Sequence, residues 1–237
     1  MNTDLHNFPD KIGRAHAAVT PTASFFDNEL HLLPGVTIPL RSMLVDTADE
    51  AILVSPVGTV AEREAVGARP TVLVAPSLLH HKHLDESLAR LPVRGLWGPQ
   101  GLAEKHPTFA GAKVFGVDPW PYGGALDFVT IDGAPKRNEV VFFHAPSRTI
   151  YTADLVFAIH EPKGLLTPLT FRVMGIYKRF AMAKMWKKWV EDRAAFRRSI
   201  EQVLAWDFDR IAMGHGDLVQ ANGREMLIAA LRERDLL

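Results

Sequence analysis

The sequence predicts an α/β fold in which two mixed β-sheets pack face to face with helices outside, a four-layer αββα sandwich. Three observations carry this. Short β-branched runs such as "TVLVAPS" (71–77) alternate with helical segments in the first half, as βα units do. Hairpin-like runs lie before and after those units. A last short strand, "DRIAMGHGD", precedes a helix that closes the chain. The length of 237 residues suits a single domain, 1–237, with a sizeable core.

Taken in order, "SFFDNELHLLPG" reads as a hairpin turning at Asp27-Asn28, a turn-forming pair between apolar runs. "RSMLVDTADEAILVSPVG" gives strands at Ser42–Val45 and Ala51–Ser55 around a polar turn. "TVAEREAVGA" has helical composition and stops at Gly67. After the buried-type strand at 71–75 come a helix from about Glu86, a strand at Gly95–Trp97, a helix near Leu102–His106 and a strand at Lys113–Phe115. "ALDFVTIDG" and "NEVVFFHAPSRTIYTADLVF" hold three strands, with turns at Asp132-Gly133 and Ala145–Arg148. Residues 161–206 read as a helical insertion rich in Lys, Arg, Met and Trp. The chain ends in a helix over roughly Gly223–Arg234.

Composition removes several function classes. Lys plus Arg and Asp plus Glu both number 27, so there is no basic excess for tracking phosphates, and no nucleic-acid partner is expected. Cysteine is absent, which excludes disulfides, thiolate nucleophiles and Cys-ligated zinc. Any metal must sit on nitrogen and oxygen. "MNTDLHNFPDKIGRAH" lacks the apolar core of a signal peptide, and no stretch approaches the ~20 apolar residues of a spanning helix. The expectation is a cytoplasmic protein with a small-molecule substrate and no stable membrane insertion.

Three constellations carry chemistry. In "SLLHHKHLDESLARLP", just past a strand, an extended loop would project His81, His83 and Asp85 to one side, as converging metal ligands require. The alternative is a solvated loop capping the next helix. Asp154, in "TIYTADLVF", breaks a strand pattern and must be solvated, capped or bound. His215, in "AMGHGD", ends an apolar strand between two glycines that permit tight backbone.

Together these motifs resemble the metallo-β-lactamase-like hydrolases, whose signature is an H-x-H-x-D-H loop, a third histidine, an aspartate after a strand pair and a late histidine before Gly. Here "HKHLDE" stands for the loop, and Asp154 and His215 follow in the right order over roughly residues 25–220. "SMLVDTADEAILVSPV", "LLHHKHL" and "VVFFHAPSRTIYTADLVF" look closer still to a poorly characterised branch with an altered metal motif. The resemblance implies a metal-dependent hydrolase of an ester, thioester, lactone or phosphodiester. Its metal ligands would be His81, His83, Asp85, Asp154 and His215, with Asp85 also orienting the water or taking its proton.

The chain departs from the pattern twice. Glu86 stands where the loop's last histidine would be, and "FGVDPWPYGGALDF" holds Trp120 or Pro121 in place of the third, with Asp118 as a substitute ligand. A first site would then use His81, His83, Asp118 and Asp154, and a second Asp85, Glu86, Asp154 and His215. The family's metal is zinc, whereas a carboxylate-rich set suits manganese or iron. The same departures fit a non-catalytic binding protein of this fold that holds no metal, or an iron-dependent redox relative.

"YKRFAMAKMWKKWVEDRAAFRRS" (177–199) reads either as a Trp/Met face packed on the core or as a lid, membrane-surface or homodimer helix. His144 and Arg148 could meet an anionic substrate or simply shape a turn. His6, His16, His31, His106 and His160 are scattered and read as structural or solvated.

Overall fold

The computed structural model describes residues 17–20 and 22–237, so the N-terminal stretch with His6 and His16 lies outside the described residues. Seven strands form the first sheet in sequence order: β1 (Ala17–Thr20), β2 (Ala23–Leu33), β3 (Val36–Asp46), β4 (Ala51–Val54), β5 (Thr71–Val74), β6 (Val93–Gly98) and β7 (Lys113–Val114). Pairing is antiparallel as far as β4 and parallel from β4 to β7. The parallel strands need crossovers, and the helices α1 (Val60–Val66), α2 (Leu84–Arg90) and α3 (Leu102–Lys105) lie in them. Thr59 caps α1 by accepting from the Glu62 N–H, and Gly67 ends it.

The second half contributes β8 (Asp127–Thr130), β9 (Val140–His144), β10 (Thr149–Thr152), β11 (Phe157–Ala158), α4 (Thr167–Met174), β12 (Phe180–Ala181), α5 (Trp186–Trp189), α6 (Arg193–Ala205), β13 (Arg210–Met213) and α7 (Gly223–Arg232). Its main sheet runs β13-β10-β9-β8, with β13 parallel to β10 and the rest antiparallel. β11 and β12 form a separate small ribbon.

Alternation along the strands builds the layers. Ile52 and Val54 of β4 face the space between the sheets, with Met43, Trp97 and Phe115 opposite Val140, Phe142 and Tyr151. Leu53 of β4 faces outward instead, to Leu73, Val66, Leu84 and Phe109 beneath the first helices. Val141, Phe143, Ile150 and Ile211 face the other way, against Phe196, Ile200 and Val203 of α6 and Leu227 of α7. Two mixed sheets between helical layers are thus the observed architecture. Among the described residues no helix is long and apolar enough to cross a membrane.

Two expectations need correction. Asp27-Asn28 is not a turn: β2 runs straight through it to Leu33, and the reversal falls at Pro34-Gly35, where Gly35 takes φ 77. Both side chains are used within the sheet, Asp27 by Arg41 and Asn28 by the Val57 carbonyl. Nor is 161–206 a continuous helical insertion. Its last part, α6, belongs to the outer helical layer and packs on β8, while residues 161–190 carry only short elements.

Candidate metal centre

Parallel pairing of β10 with β13 places the two most distant site residues side by side. Thr152 pairs with Met213 at the carboxyl ends of these strands, and two residues further along each chain stand Asp154 and His215. The Gly214 N–H donates to the Thr152 carbonyl at 2.8 Å and holds the two ends together. From the other sheet, the chain leaves β5 at Val74 and turns through 77–83, bringing His80 to the same point. Sites of α/β sheets collect at such carboxyl ends.

His80 Nε2 lies 3.2 Å from His215 Nε2, and the Asp154 Oδ1 lies 3.3 Å from His215 Nε2 and 3.7 Å from His80 Nε2. A tetrahedral ion with bonds of ~2.0–2.1 Å has ligand–ligand edges of about 3.3 Å. The triangle therefore has the size of one face of a metal's coordination shell, and these three residues could hold one.

The hydrogen bonds behind the ligands aim their lone pairs at that face. His215 Nδ1 is 2.8 Å from the Pro39 carbonyl, which can only accept, so Nδ1 carries the proton and Nε2 is bare. Tyr151 donates its hydroxyl to the Arg41 carbonyl at 2.7 Å. Ser55 Oγ lies 2.8 Å from His80 Nδ1 and holds that ring in place with Nε2 turned to the centre. Two imidazole nitrogens and a carboxylate thus converge on one point, an arrangement that a cation would satisfy.

Local backbone makes room for this. At Gly214 a Cβ would sit 2.4 Å from His80 Cε1, so the imidazole occupies the space a side chain would need. Gly216 has φ 115, and a Cβ there would meet the Ala158 carbonyl oxygen at 2.3 Å. Ser55 itself takes a left-handed φ of 54, where its hydroxyl meets His80.

Burial lowers the pKa of His80, only partly opposed by Asp154, which keeps the imidazole neutral and able to ligate. Burial also opposes ionisation of Asp154, but the imidazoles of His80 and His215, by charge and hydrogen bonding, hold its carboxyl well below the usual range. The turn carrying Asp154 is clamped from below. The fully buried Glu139 accepts the N–H groups of Ala153, Asp154 and Leu155 at 2.9, 2.9 and 3.1 Å. Burial, helped by the charge of Asp154, pushes the Glu139 carboxyl up to about 8. Trp186 of α5 donates its indole N–H to the Asp154 carbonyl at 2.9 Å. Arg137 reaches Asp154 Oδ2 at 3.8 Å and lies over the Trp189 ring at 3.3 Å.

The structure brings together Asp154 and His215, with His80, and leaves the other expected ligands apart. An extended 80–86 loop is the expectation to correct. Residues 77–83 are consecutive turns, with His80 N–H to Ser77 and Leu84 N–H to His81, so alternate residues do not share a side. His81 packs against His106, the rings tilted by 36° with centroids 3.7 Å apart. His83 turns toward Glu86 and Gly58. Asp85 is exposed in the first turn of α2, where a carboxylate suits the helix N-terminus. Glu86 pairs with Arg63 and Arg90.

Asp118 accepts from the Val114 N–H, and Trp120 donates to the Leu126 carbonyl inside an aromatic cluster with Trp97 and Phe115. Neither reaches the centre. His144 bonds Ser147 and Thr22, and Arg148 pairs with Asp207, so both shape their turn. Sequence reasoning passed over His80, Arg137 and Glu139. The only signal for the last two was charge alternating two apart, directly before the apolar run at 140–143.

A cavity of about 370 Å³ opens onto the centre. Its walls include Leu30, Leu32, Ile38 and Leu40 from the β2–β3 hairpin, Phe157 and Met174; His80, Asp154, His215 and Arg137 also line it.

Comparison with solved structures agrees with this architecture. The chain superposes on a metallo-β-lactamase from Erythrobacter litoralis with a TM-score of 0.62 and 16% identity, covering 94% of this chain and 99% of that one. The fold is that of the metallo-β-lactamases. FIM-1 from Pseudomonas aeruginosa, in a mono-zinc form, matches over 97% of this chain and 99% of its own, with a TM-score of 0.61 and 14% identity. The metal-soaked flavodiiron core of Flv1 from Synechocystis sp. PCC6803 gives 0.66 and 14% over 93% of this chain, which spans only 60% of that core. No family model and no curated relative matches the sequence. Within this fold, His80, Asp154 and His215 form a group that could hold a divalent metal ion.

Proposed function

We propose that the protein is a metal-dependent hydrolase with a mononuclear zinc centre held by His80, Asp154 and His215. The observation that carries this reading is the convergence of two Nε2 atoms and a carboxylate oxygen within 3.2–3.7 Å. Two nitrogens and one oxygen, with the fourth direction open to a cavity, match the donor set of catalytic zinc rather than a closed structural site. FIM-1, of the same fold, is known in a mono-zinc form.

A divalent ion held there supplies a Lewis acid and brings the pKa of a water down to ~7. The protein's own groups do the rest. The Ser55 hydroxyl and the Pro39 carbonyl fix the two imidazoles, and Glu139 and Trp186 fix the Asp154 turn. Asp154 Oδ2, buried and without a hydrogen bond, faces Arg137 at 3.8 Å, so Asp154 would serve as a ligand and charge partner. The apolar walls limit the cavity's exposure to bulk water.

Protein purified without chelator should carry about one zinc per chain and hydrolyse a panel of p-nitrophenyl esters. His80→Ala and His215→Ala should lose both. Absence of metal, or ester turnover unchanged in these variants, refutes the reading.

A further inference from the structure

Arg137 has no assigned task in that scheme, yet it is built into the cavity. The Leu78 N–H donates to its carbonyl at 3.0 Å and the Val140 N–H donates to the Pro76 carbonyl at 2.7 Å, tying its turn to the loop that carries His80. Its side chain is pressed flat on Trp189, and only 9% of the residue is exposed. A guanidinium has five N–H donors in a fixed fork. None of them makes a hydrogen bond among the described residues; the nearest anion, Asp154 Oδ2, is 3.8 Å away, beyond hydrogen-bond reach. A charged fork, largely buried and without protein hydrogen bonds, faces the cavity, where a ligand or water must supply the acceptors.

The rest of the cavity says what that ligand looks like. Leu30, Leu32, Ile38, Leu40, Phe157 and Met174 offer hydrocarbon contacts and no charge. At about 370 Å³ the space falls at the small end of ligand pockets and suits a short chain rather than a polymer. Lys82 and Arg137 are the lysine and arginine side chains that line it, so one end of the space is cationic and the other hydrocarbon.

We infer that the cavity binds an aliphatic acyl group, its carboxyl end on Arg137 and its hydrocarbon tail along the Leu30–Leu40 wall. This rests on the hydrolase reading and sharpens it: the substrate is an aliphatic acyl ester. Water adds to the acyl carbon, the carbon–oxygen bond to the alcohol breaks, and the products are the carboxylate, a proton and the alcohol. Arg137 faces the acyl oxygen before cleavage and the product carboxylate after it.

Trp189 under the guanidinium gives a fluorescence reporter. Octanoate, octanol and acetate are titrated into zinc-loaded protein and again after chelation. Octanoate should bind at least about tenfold more tightly than octanol or acetate. Arg137→Gln should weaken octanoate about tenfold or more and leave octanol unchanged, which also shows that the cavity is intact; Arg137→Lys should fall between. Octanol or acetate equal to octanoate, or octanoate unaffected by Arg137→Gln, overturns the inference. Zinc-dependent ester hydrolysis with no Arg137 effect sinks this inference alone. Arg137-dependent octanoate binding in a protein that takes up no zinc sinks the hydrolase reading alone.

Discussion

His80 Nε2 and His215 Nε2 face each other at 3.2 Å, although 135 residues separate them and they come from different sheets. Each Nδ1 has a partner of its own, Ser55 Oγ in one case and the Pro39 carbonyl in the other. A divalent ion between the two Nε2 atoms and the Asp154 carboxylate would satisfy all three.

The support behind His80 is separable from the ligand itself. Ser55→Ala removes the hydrogen-bond partner of Nδ1 and frees the ring's tautomer and orientation. Zinc affinity should fall about 10–100-fold, the usual effect of losing such a partner. Competition against a chromophoric chelator measures it.

Glu139 is a structural clamp for the Asp154 turn. In Glu139→Gln one acceptor becomes a donor facing backbone N–H groups that are already donors. The expected cost is about 1–3 kcal/mol, seen as a melting-temperature drop of several degrees, with weaker zinc binding because Asp154 shifts. Unchanged melting would contradict the clamp.

Gly216→Ala forces a Cβ against the Ala158 carbonyl at a φ of 115. The backbone region alone costs about 1–3 kcal/mol. Because His215 precedes this residue, zinc affinity should drop together with thermal stability. Gly95→Ala, where a Cβ meets nothing within 4 Å, is the control and should change zinc affinity little.

Glu62 gives a pH dependence away from the metal centre. Its pKa is raised above the ordinary 4.5, first by burial, with the Ser42 hydroxyl and the Val57 and Gly58 N–H groups opposing. A raised value means the folded state holds this proton more tightly than the unfolded chain. The group's stabilisation is therefore complete below its ordinary value and is lost as pH rises through the raised one. Glu62→Gln cannot titrate, so its penalty in melting temperature relative to wild type should shrink as pH rises from below 4.5. A constant penalty from pH 4 to 8 would count against burial as the dominant cause.

The fold was legible because its signals are local. "TVLV", "DRIAM" and the Gly67 stop are read from periodicity and punctuation within a few residues, and all sit where expected. The first hairpin misled because Asp27-Asn28 carries turn chemistry, yet the partner strand supplies Arg41 to neutralise the aspartate. At the site, Asp154 and His215 were visible as polar residues ending apolar strands. The choice among His80, His81 and His83 was not legible, since it depends on where the chain stops being extended after β5. Ser77 starts turns there, its hydroxyl accepting from the Leu79 N–H, and a shift of one residue exchanges which imidazole faces inward. Arg137 and Glu139 matter only through pairing between the 76–78 loop and the start of β9, a contact with no local signature.

The most direct test of the central claim compares zinc affinity of His80→Ala with that of His81→Ala, His83→Ala and Asp85→Ala, by chelator competition on folded protein. The account predicts a loss of at least about 100-fold for His80→Ala and less than about twofold for the other three. Zinc retained by His80→Ala, or lost in His81→Ala or His83→Ala, would contradict it.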